Sequence, residues 1–232
     1  MPENKITILS TRPLQASLIA EAAGKGIEIE VLSFIETRPI ATIDVLEEIS
    51  LAADKMATVV FTSMNAVEAV SNALDGFVPD WSIYCMGYAT RDLVKKHFGE
   101  EYIFGTAANA GELADKLIDT DCEELIFFCG NNRRNELPEK LMHEGIEVQE
   151  IMVYETENTP HLIVKDYRGI LFFSPSAVES FFSVNQIPET ALVFAIGETT
   201  RQTIQKFSGN RIIVSKEPGK EQLVRQAIAY FM

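Results

Sequence analysis

Basic residues are scarce in this sequence. Of 232 residues, 20 are Lys or Arg against 34 Asp or Glu, which gives a formal net charge of −14. A nucleic-acid-binding surface needs a basic face, and this composition speaks against one. It does not exclude an anionic ligand, because helix N-termini and a few placed arginines hold carboxylates locally. Cysteine is scarce too. Cys85, Cys122 and Cys129 have no metal-ligand spacing, and Cys85 and Cys129 fall within apolar runs. Reduced, buried thiols in a cytoplasmic protein are expected. No run of 18 apolar residues is present, so no membrane span is expected. The opening stretch MPENKITILSTRP has one Lys and too short an apolar segment for a secretory signal.

Several site chemistries are missing as well. There is no G-x-x-x-x-G-K-[ST] phosphate loop and no G-x-G-x-x-G opening a helix. The stretch FFSPSA is not the G-x-S-x-G of a nucleophile elbow. Histidine occurs three times. His97 and His143 lie in charged helical segments, and His161 lies near a connector, so solvated structural roles are expected. No His/Cys/Asp cluster points to a metal. An enzyme built from these residues works mainly by positioning, helped at most by one weak general acid.

What is present is alternation. Hydrophobic residues make up 47% of the chain, enough for a real core. Apolar runs of strand length are KITILS (5–10), IEIEVLSF (27–34), ATVVFT (57–62), SIYCM (82–86), ELIFFC (124–129), IEVQEIMVY (146–154), GILFFS (169–174), ALVFAI (191–196) and RIIVS (211–215). Helix-period stretches lie between them, such as LQASLIAEAAGKG, NAVEAVSNAL and KEQLVRQAIAYF. Strand–helix alternation means βα units and a mostly parallel sheet. Continuous apolar strands mean helices on both faces. Gly26, Gly99, Gly145 and Gly209 follow helical stretches, where a left-handed cap favours glycine.

Two duplications stand out. Residues 6–37 align with 125–156 without a gap, bringing Gly26-Ile27-Glu28 onto Gly145-Ile146-Glu147 and Glu36-Thr37 onto Glu155-Thr156. Residues 59–70 align with 170–181, and Gly87 to Arg91 with Gly197 to Arg201. The chain therefore carries two related α/β domains. Contiguous halves (1–117 and 118–232) and a discontinuous arrangement both satisfy the pattern. SFIETRPIAT (33–42) and VYETENTPHL (153–162) leave the strand pattern in related ways, each with Glu-Thr before a proline. They read as paired connectors, a two-strand hinge.

Parallel sheets place ligands at the carboxyl ends of their strands. The residues there are Ser10-Thr11-Arg12-Pro13, Thr62-Ser63-Met64-Asn65, Gly87-Tyr88-Ala89-Thr90, Gly130 to Arg134, Ser174-Pro175-Ser176 and Gly197-Glu198-Thr199-Thr200. Ser and Thr after a strand cap the next helix, and Pro175 suits a first turn. Two matching sets of small polar loops also form a cradle for acidic groups and suit a large polycarboxylate. Tyr154 ends an apolar strand beside a connector and is the candidate proton donor.

In order along the chain stand S-T-R-P, V-F-T-S-x-N-A-V-E, G-Y-A-T, C-G-N-x-x-R-x-x-L-P-x-x-L, V-Y-x-T, F-F-S-P-S-A-V and A-I-G-x-T-T. Together they cover almost the whole chain, and they resemble the uroporphyrinogen-III synthase family. Ser33 departs from it, where members often have proline. The resemblance implies two flavodoxin-like parallel-sheet domains of three layers, α/β/α, joined by a two-stranded hinge. One domain is discontinuous, residues 1–35 plus 158–232, and the other is 36–157. It implies closure of hydroxymethylbilane, a linear tetrapyrrole with eight carboxylates, to uroporphyrinogen III without a metal or organic cofactor. It implies Tyr154 as the acid, and Ser63, Thr90, Asn131, Ser174, Ser176, Thr199 and Thr200 as substrate contacts. Arg12, Arg91, Arg133, Arg134 and Arg201 are candidates for offsetting substrate charge, Arg12 and Arg134 foremost. A cytoplasmic monomer that opens and closes around its ligand is expected, without nucleic-acid or membrane partners. Two rival readings are a non-catalytic two-lobed small-molecule binding protein and a flavodoxin-like regulatory domain. The first usually carries an export signal, and the second wants an acidic pocket where Ser10-Thr11-Arg12 stands.

Overall fold

The computed structural model describes residues 6–217 and 219–232. Lys5, which begins the first apolar run, and the rest of Met1–Lys5 lie outside the described residues, as does Pro218. The elements in order are β1(Ile6–Ser10), α1(Ala16–Gly24), β2(Ile27–Val31), β3(Ile35–Pro39), α2(Ile43–Ala53), β4(Ala57–Phe61), α3(Met64–Ala73), β5(Trp81–Met86), α4(Ala89–His97) and β6(Ile103–Ala107). Then follow α5(Ala110–Ile118), β7(Glu124–Gly130), α6(Glu136–His143), β8(Glu147–Asn158), β9(Gly169–Phe172), α7(Pro175–Phe182), β10(Leu192–Ala195), α8(Glu198–Gln205), β11(Ile212–Val214) and α9(Lys220–Phe231). Among the described residues no helix is long and apolar enough to cross a membrane.

The chain divides into two compact units. A terminal unit comprises Met1–Glu36 with Glu157–Met232, and a central unit comprises Thr37–Thr156. The terminal unit holds a sheet in the order β11-β10-β9-β1-β2. Each of its pairings is parallel. The central sheet runs β3-β8-β7-β4-β5-β6, parallel from β8 to β6. Beside it β3 runs against β8. The Ile40 N–H donates to Val153 O, and the Thr37 and Thr156 hydroxyls meet at 3.3 Å, so one number falls as the other rises.

The duplicated segments explain both orders. Matching 6–37 to 125–156 sets β1-α1-β2 against β7-α6-β8, and matching 59–70 to 170–181 sets β4-α3 against β9-α7. Under that correspondence β8-β7-β4-β5-β6 and β2-β1-β9-β10-β11 are the same spatial sequence. The two units are one fold with a different chain opening.

Each sheet is covered on both faces because its strands alternate two apolar sets. On β7, Ile126 and Phe128 pack toward α2, α3 and α4, whereas Leu125, Phe127 and Cys129 pack toward α5 and α6. On β9, Leu171 joins the cluster of α1 and α9, and Ile170 and Phe172 join that of α7 and α8. A period of two on the strand thus feeds two cores. Cys85 and Cys129 are buried, and burial pushes both thiols up to about 11. Cys122 departs from the expected burial. It is half-exposed in the turn before β7, its thiol bonded to Glu124 O.

Sequence periodicity overlooked three elements. Helix α2 carries exposed Ile43 and Leu51 among its buried Ile49, Ala52 and Ala53, which blurs the apolar stripe. Strand β6 contains Gly105, a weak strand residue, because the Tyr84 ring of neighbouring β5 lies where its Cβ would be. Strand β3 and the last turn of β8 had read as connector, yet they pair with each other. Of the four glycines expected in left-handed caps, Gly26, Gly99 and Gly145 adopt positive φ and Gly209 does not. His161 sits edge-on to the Phe34 ring, and His143 and its neighbour Glu144 face solvent.

Candidate functional site

The strand-end residues gather at one edge of each sheet. In the terminal unit β10, β9 and β1 are adjacent, so Thr199 and Thr200, Ser174 and Ser176, and Arg12 stand in a row at their carboxyl ends. In the central unit β8, β7, β4 and β5 are adjacent, which aligns Tyr154, Asn131 with Arg134, Ser63, and Thr90. The helices that follow β1 and β9 cover opposite faces, as do those that follow β7 and β4. Such reversals leave a crevice at the strand ends, the usual ligand position in open α/β sheets.

Capping accounts for two of the six loops. The Ser63 hydroxyl accepts from the Ala66 N–H and the Ser174 hydroxyl from the Ala177 N–H, each at 3.2 Å. Pro175 stands in the first turn of α7, where no N–H is missed. The remaining loops depart from the capping expectation. The Thr11 hydroxyl and N–H both donate to Leu171 O, at 2.8 and 3.1 Å, and the Ser10 hydroxyl donates to Arg12 O. Those groups tie β1 to β9, and α1 begins five residues on, after Gln15, whose side chain makes no capping bond. Helices α4 and α8 start from Tyr88 and Gly197 without a side-chain cap. Thr90 and Thr200 are instead buried in their first turns. The first-turn N–H groups of α4 and α8 thus have no partner from their own caps, and the helix dipole makes that end favourable for a carboxylate.

These hydroxyls therefore divide by role, and the division has a measurable consequence. Ser63→Ala and Ser174→Ala are each expected to lose about 1 kcal/mol of stability through the cap. KM is expected to stay near the wild-type value, because the helix N–H groups remain. Urea midpoints and steady-state rates on the same samples check this. A KM defect without a stability defect would mean that the hydroxyl itself holds substrate.

The arginines divide too. Arg91 pairs with Glu100 at 2.8 Å, Arg133 with Glu150, and Arg201 with Glu198. Their charges are already matched, which removes them from the set of open cations. Arg12 and Arg134 are exposed and form no ion pair among the described residues. Sequence reading missed Lys220, the first residue of α9. Burial, and then the nearby Arg12 charge, push its ammonium below the usual lysine range. Lys220 thus adds a cation at the start of α9 that feels the charge of Arg12. The signal was Gly-Lys opening the last helical stretch.

Tyr154 is half-buried on β8 and packs against the core shared by α3 and α4. It lines a cavity of about 100 Å³ with Thr37, Pro39, Asn65, Glu68, Ala69 and Asn72. The Asn131 side chain makes two bonds to the Thr156 backbone. Its Oδ1 accepts from the N–H at 2.8 Å, and its Nδ2 donates to the carbonyl at 3.2 Å. A second hollow of about 640 Å³ opens beyond β5 and β6, between Gly87, Tyr88, Arg91, Thr106 and Lys116. Tyr88 there has φ 58°, unusual for a side-chain-bearing residue, and its ring is exposed. Asn109 begins α5 with a reciprocal cap. It accepts from the Glu112 N–H at 2.9 Å, while Glu112 accepts from the Ala108 N–H at 3.2 Å. That Asn-x-x-Glu spacing was legible but went unread beside the weak strand β6.

Comparison with known proteins bears on what this arrangement does. The family model described as uroporphyrinogen-III synthase HemD matches residues 16–225. The uroporphyrinogen-III synthase of Saccharomyces cerevisiae (strain ATCC 204508 / S288c) is 26% identical over 202 residues, covering 72% of this chain and 73% of its own. A crystal structure of mutant uroporphyrinogen III synthase from the extremely thermophilic bacterium Thermus thermophilus superposes with a TM-score of 0.71. It is 12% identical and covers 97% of this chain and 98% of that one. The uroporphyrinogen-III synthetase of Helicobacter pylori 26695 gives 0.65 at 17% identity, covering 97% and 99%.

Proposed function

The chain belongs to the uroporphyrinogen-III synthase family, enzymes of the lyase type in tetrapyrrole synthesis, and we propose how its own residues carry that reaction. The substrate is hydroxymethylbilane, whose eight carboxylate arms rest on the strand-end loops. The family match over residues 16–225 carries this reading. The two rows of helix N-termini, with the open cations Arg12 and Arg134, support it. So does the type of group on offer. Amides and hydroxyls hold carboxylates without the cost of burying fixed charges. The net charge of −14 gives an octa-anion no long-range attraction, so binding is local.

The substrate loses its hydroxyl readily and closes unaided to the wrong isomer. The protein's task is therefore to select one path by fixing the shape of the chain. The Tyr154 hydroxyl gives its proton to the leaving hydroxyl. The C–O bond breaks, water departs, and the exposed methylene becomes electrophilic. The substituted carbon of the last ring attacks it and forms a spiro carbon. The bond from that carbon to the neighbouring methylene bridge then breaks. The freed bridge bonds to the unsubstituted carbon of the ring, which inverts it. Loss of a proton restores the pyrrole and balances the one given. The net change is hydroxymethylbilane to uroporphyrinogen III plus water. No cofactor enters, and the protein acts as a cytoplasmic monomer.

A coupled assay tests this. Fresh hydroxymethylbilane is supplied with and without the protein, the products are oxidised, and isomers I and III are separated by chromatography. Type III is expected to dominate when the protein is present. Type I alone with folded protein would refute the activity and leave a binding role.

A further inference from the structure

The end of β7 meets β8 irregularly. Register runs one to one from Glu124 with Glu147 to Cys129 with Met152, then slips, so that Gly130 faces Tyr154. The slip adds a residue to β8 and re-aims the side chain that follows it, as bulges beside functional sites do. The Tyr154 ring lies directly over Gly130. A Cβ built on Gly130 would fall 2.8 Å from the Tyr154 hydroxyl oxygen and closer still to Cζ and Cε2. Carbon–oxygen and carbon–carbon contacts need roughly 3.5 Å. Any residue but glycine would thus move the ring by about 1 Å or more.

The backbone around Tyr154 is tied by hydrogen bonds on both sides. The Val153 carbonyl accepts from Ile40, the Tyr154 carbonyl from Asn131 at 3.3 Å, and both backbone groups of Thr156 bond to the Asn131 side chain. The main chain is held on both sides, so the ring alone gives way. It has somewhere to go, the 100 Å³ cavity beside Asn65 and Glu68. The duplicated segment makes the contrast within one chain. In the alignment of 6–37 with 125–156, Gly130 falls on Thr11 and Tyr154 on Ile35. Where no tyrosine stands, a side chain stands in place of the glycine, and its hydroxyl ties two strands together.

We propose that Gly130 is a positioning residue for Tyr154, with the absence of a side chain holding the phenol at the angle its proton transfer requires. This rests on Tyr154 as the acid. Gly130→Ala is expected to lower kcat for type III product about tenfold with little change in KM, within the roughly 100-fold that a 1 Å misplacement can cost. Combined with Tyr154→Phe, the alanine is expected to cost nothing further in kcat. A kcat within about twofold of wild type would overturn the proposal, as would the same loss in both backgrounds, which means the glycine serves the fold alone. If Gly130→Ala melts too early to assay, the Tyr154→Ala background decides. Without the ring, G130A is expected to cost no melting temperature, and an equal loss there overturns the proposal. A separate readout keeps the two ideas apart. With 3-fluorotyrosine at 154, G130A is expected to move the fluorine resonance. If Tyr154→Phe keeps full activity, the acid assignment fails, and this resonance alone judges the positioning. An unmoved line overturns it.

Discussion

Tyr154→Phe is expected to lower the rate of uroporphyrinogen III formation about 100-fold, the lower end of what a general acid contributes. The low end applies because the substrate sheds its hydroxyl without help. KM is expected to hold, since the phenyl ring keeps its place over Gly130 and the arms keep their loops. As the enzymatic path slows, unaided closure competes, so the type I share of product should rise with it. The two readouts reinforce each other. A slower rate with an unchanged type III share would mean the hydroxyl orients substrate more than it donates. Full rate and full type III share would remove the acid from Tyr154 altogether.

Phe128→Ala is expected to destabilise the protein by about 4 kcal/mol. Phe128 is fully buried at the centre of the central sheet. Its ring lies 5.5 Å from those of both Phe61 and Trp81, and Phe98 closes the group against Phe61 at 5.9 Å. The surround cannot collapse into the space. Trp81 is anchored by its indole N–H to Ala52 O at 3.0 Å, and Phe61 is held in β4 between β5 and β7. Against a typical total of 5–15 kcal/mol, the loss takes a large part of the stability. Trp81 is the only tryptophan, so urea unfolding followed by its fluorescence reports on this cluster directly. A loss below about 2 kcal/mol would mean that the rings repack and the group is less rigid than its geometry implies.

The legible parts of the fold were those with local causes. A run such as ELIFFC becomes a strand because its five successive apolar residues can be buried on both faces only in a covered sheet. Ser63 and Ser174 are readable as caps because a hydroxyl reaches an N–H three residues on, whatever the surroundings. The illegible parts had distant causes. Gly105 weakens β6 for the sake of the Tyr84 ring on the next strand. Arg133 reads as an open cation along the chain, whereas Glu150, 17 residues on, lies against it. Burial, and after it the charge of Arg12 over 200 residues earlier, lowers the Lys220 ammonium.

By itself the sequence determined the kind of layers, the duplicated unit, the carboxyl-edge loops and, through its motifs, the family. These follow from residue type and spacing, which act over a few positions. The family resemblance implied one discontinuous domain, but only the tertiary structure shows the contacts that join the duplicated pieces. Periodicity allows contiguous halves, but β1 pairs with β9, and Thr11 closes the pair onto Leu171, 160 residues away. It also decided which arginines stay open and why a glycine faces Tyr154. Each of these depends on what another part of the chain places within a few ångströms, and spacing along the chain carries no record of that distance.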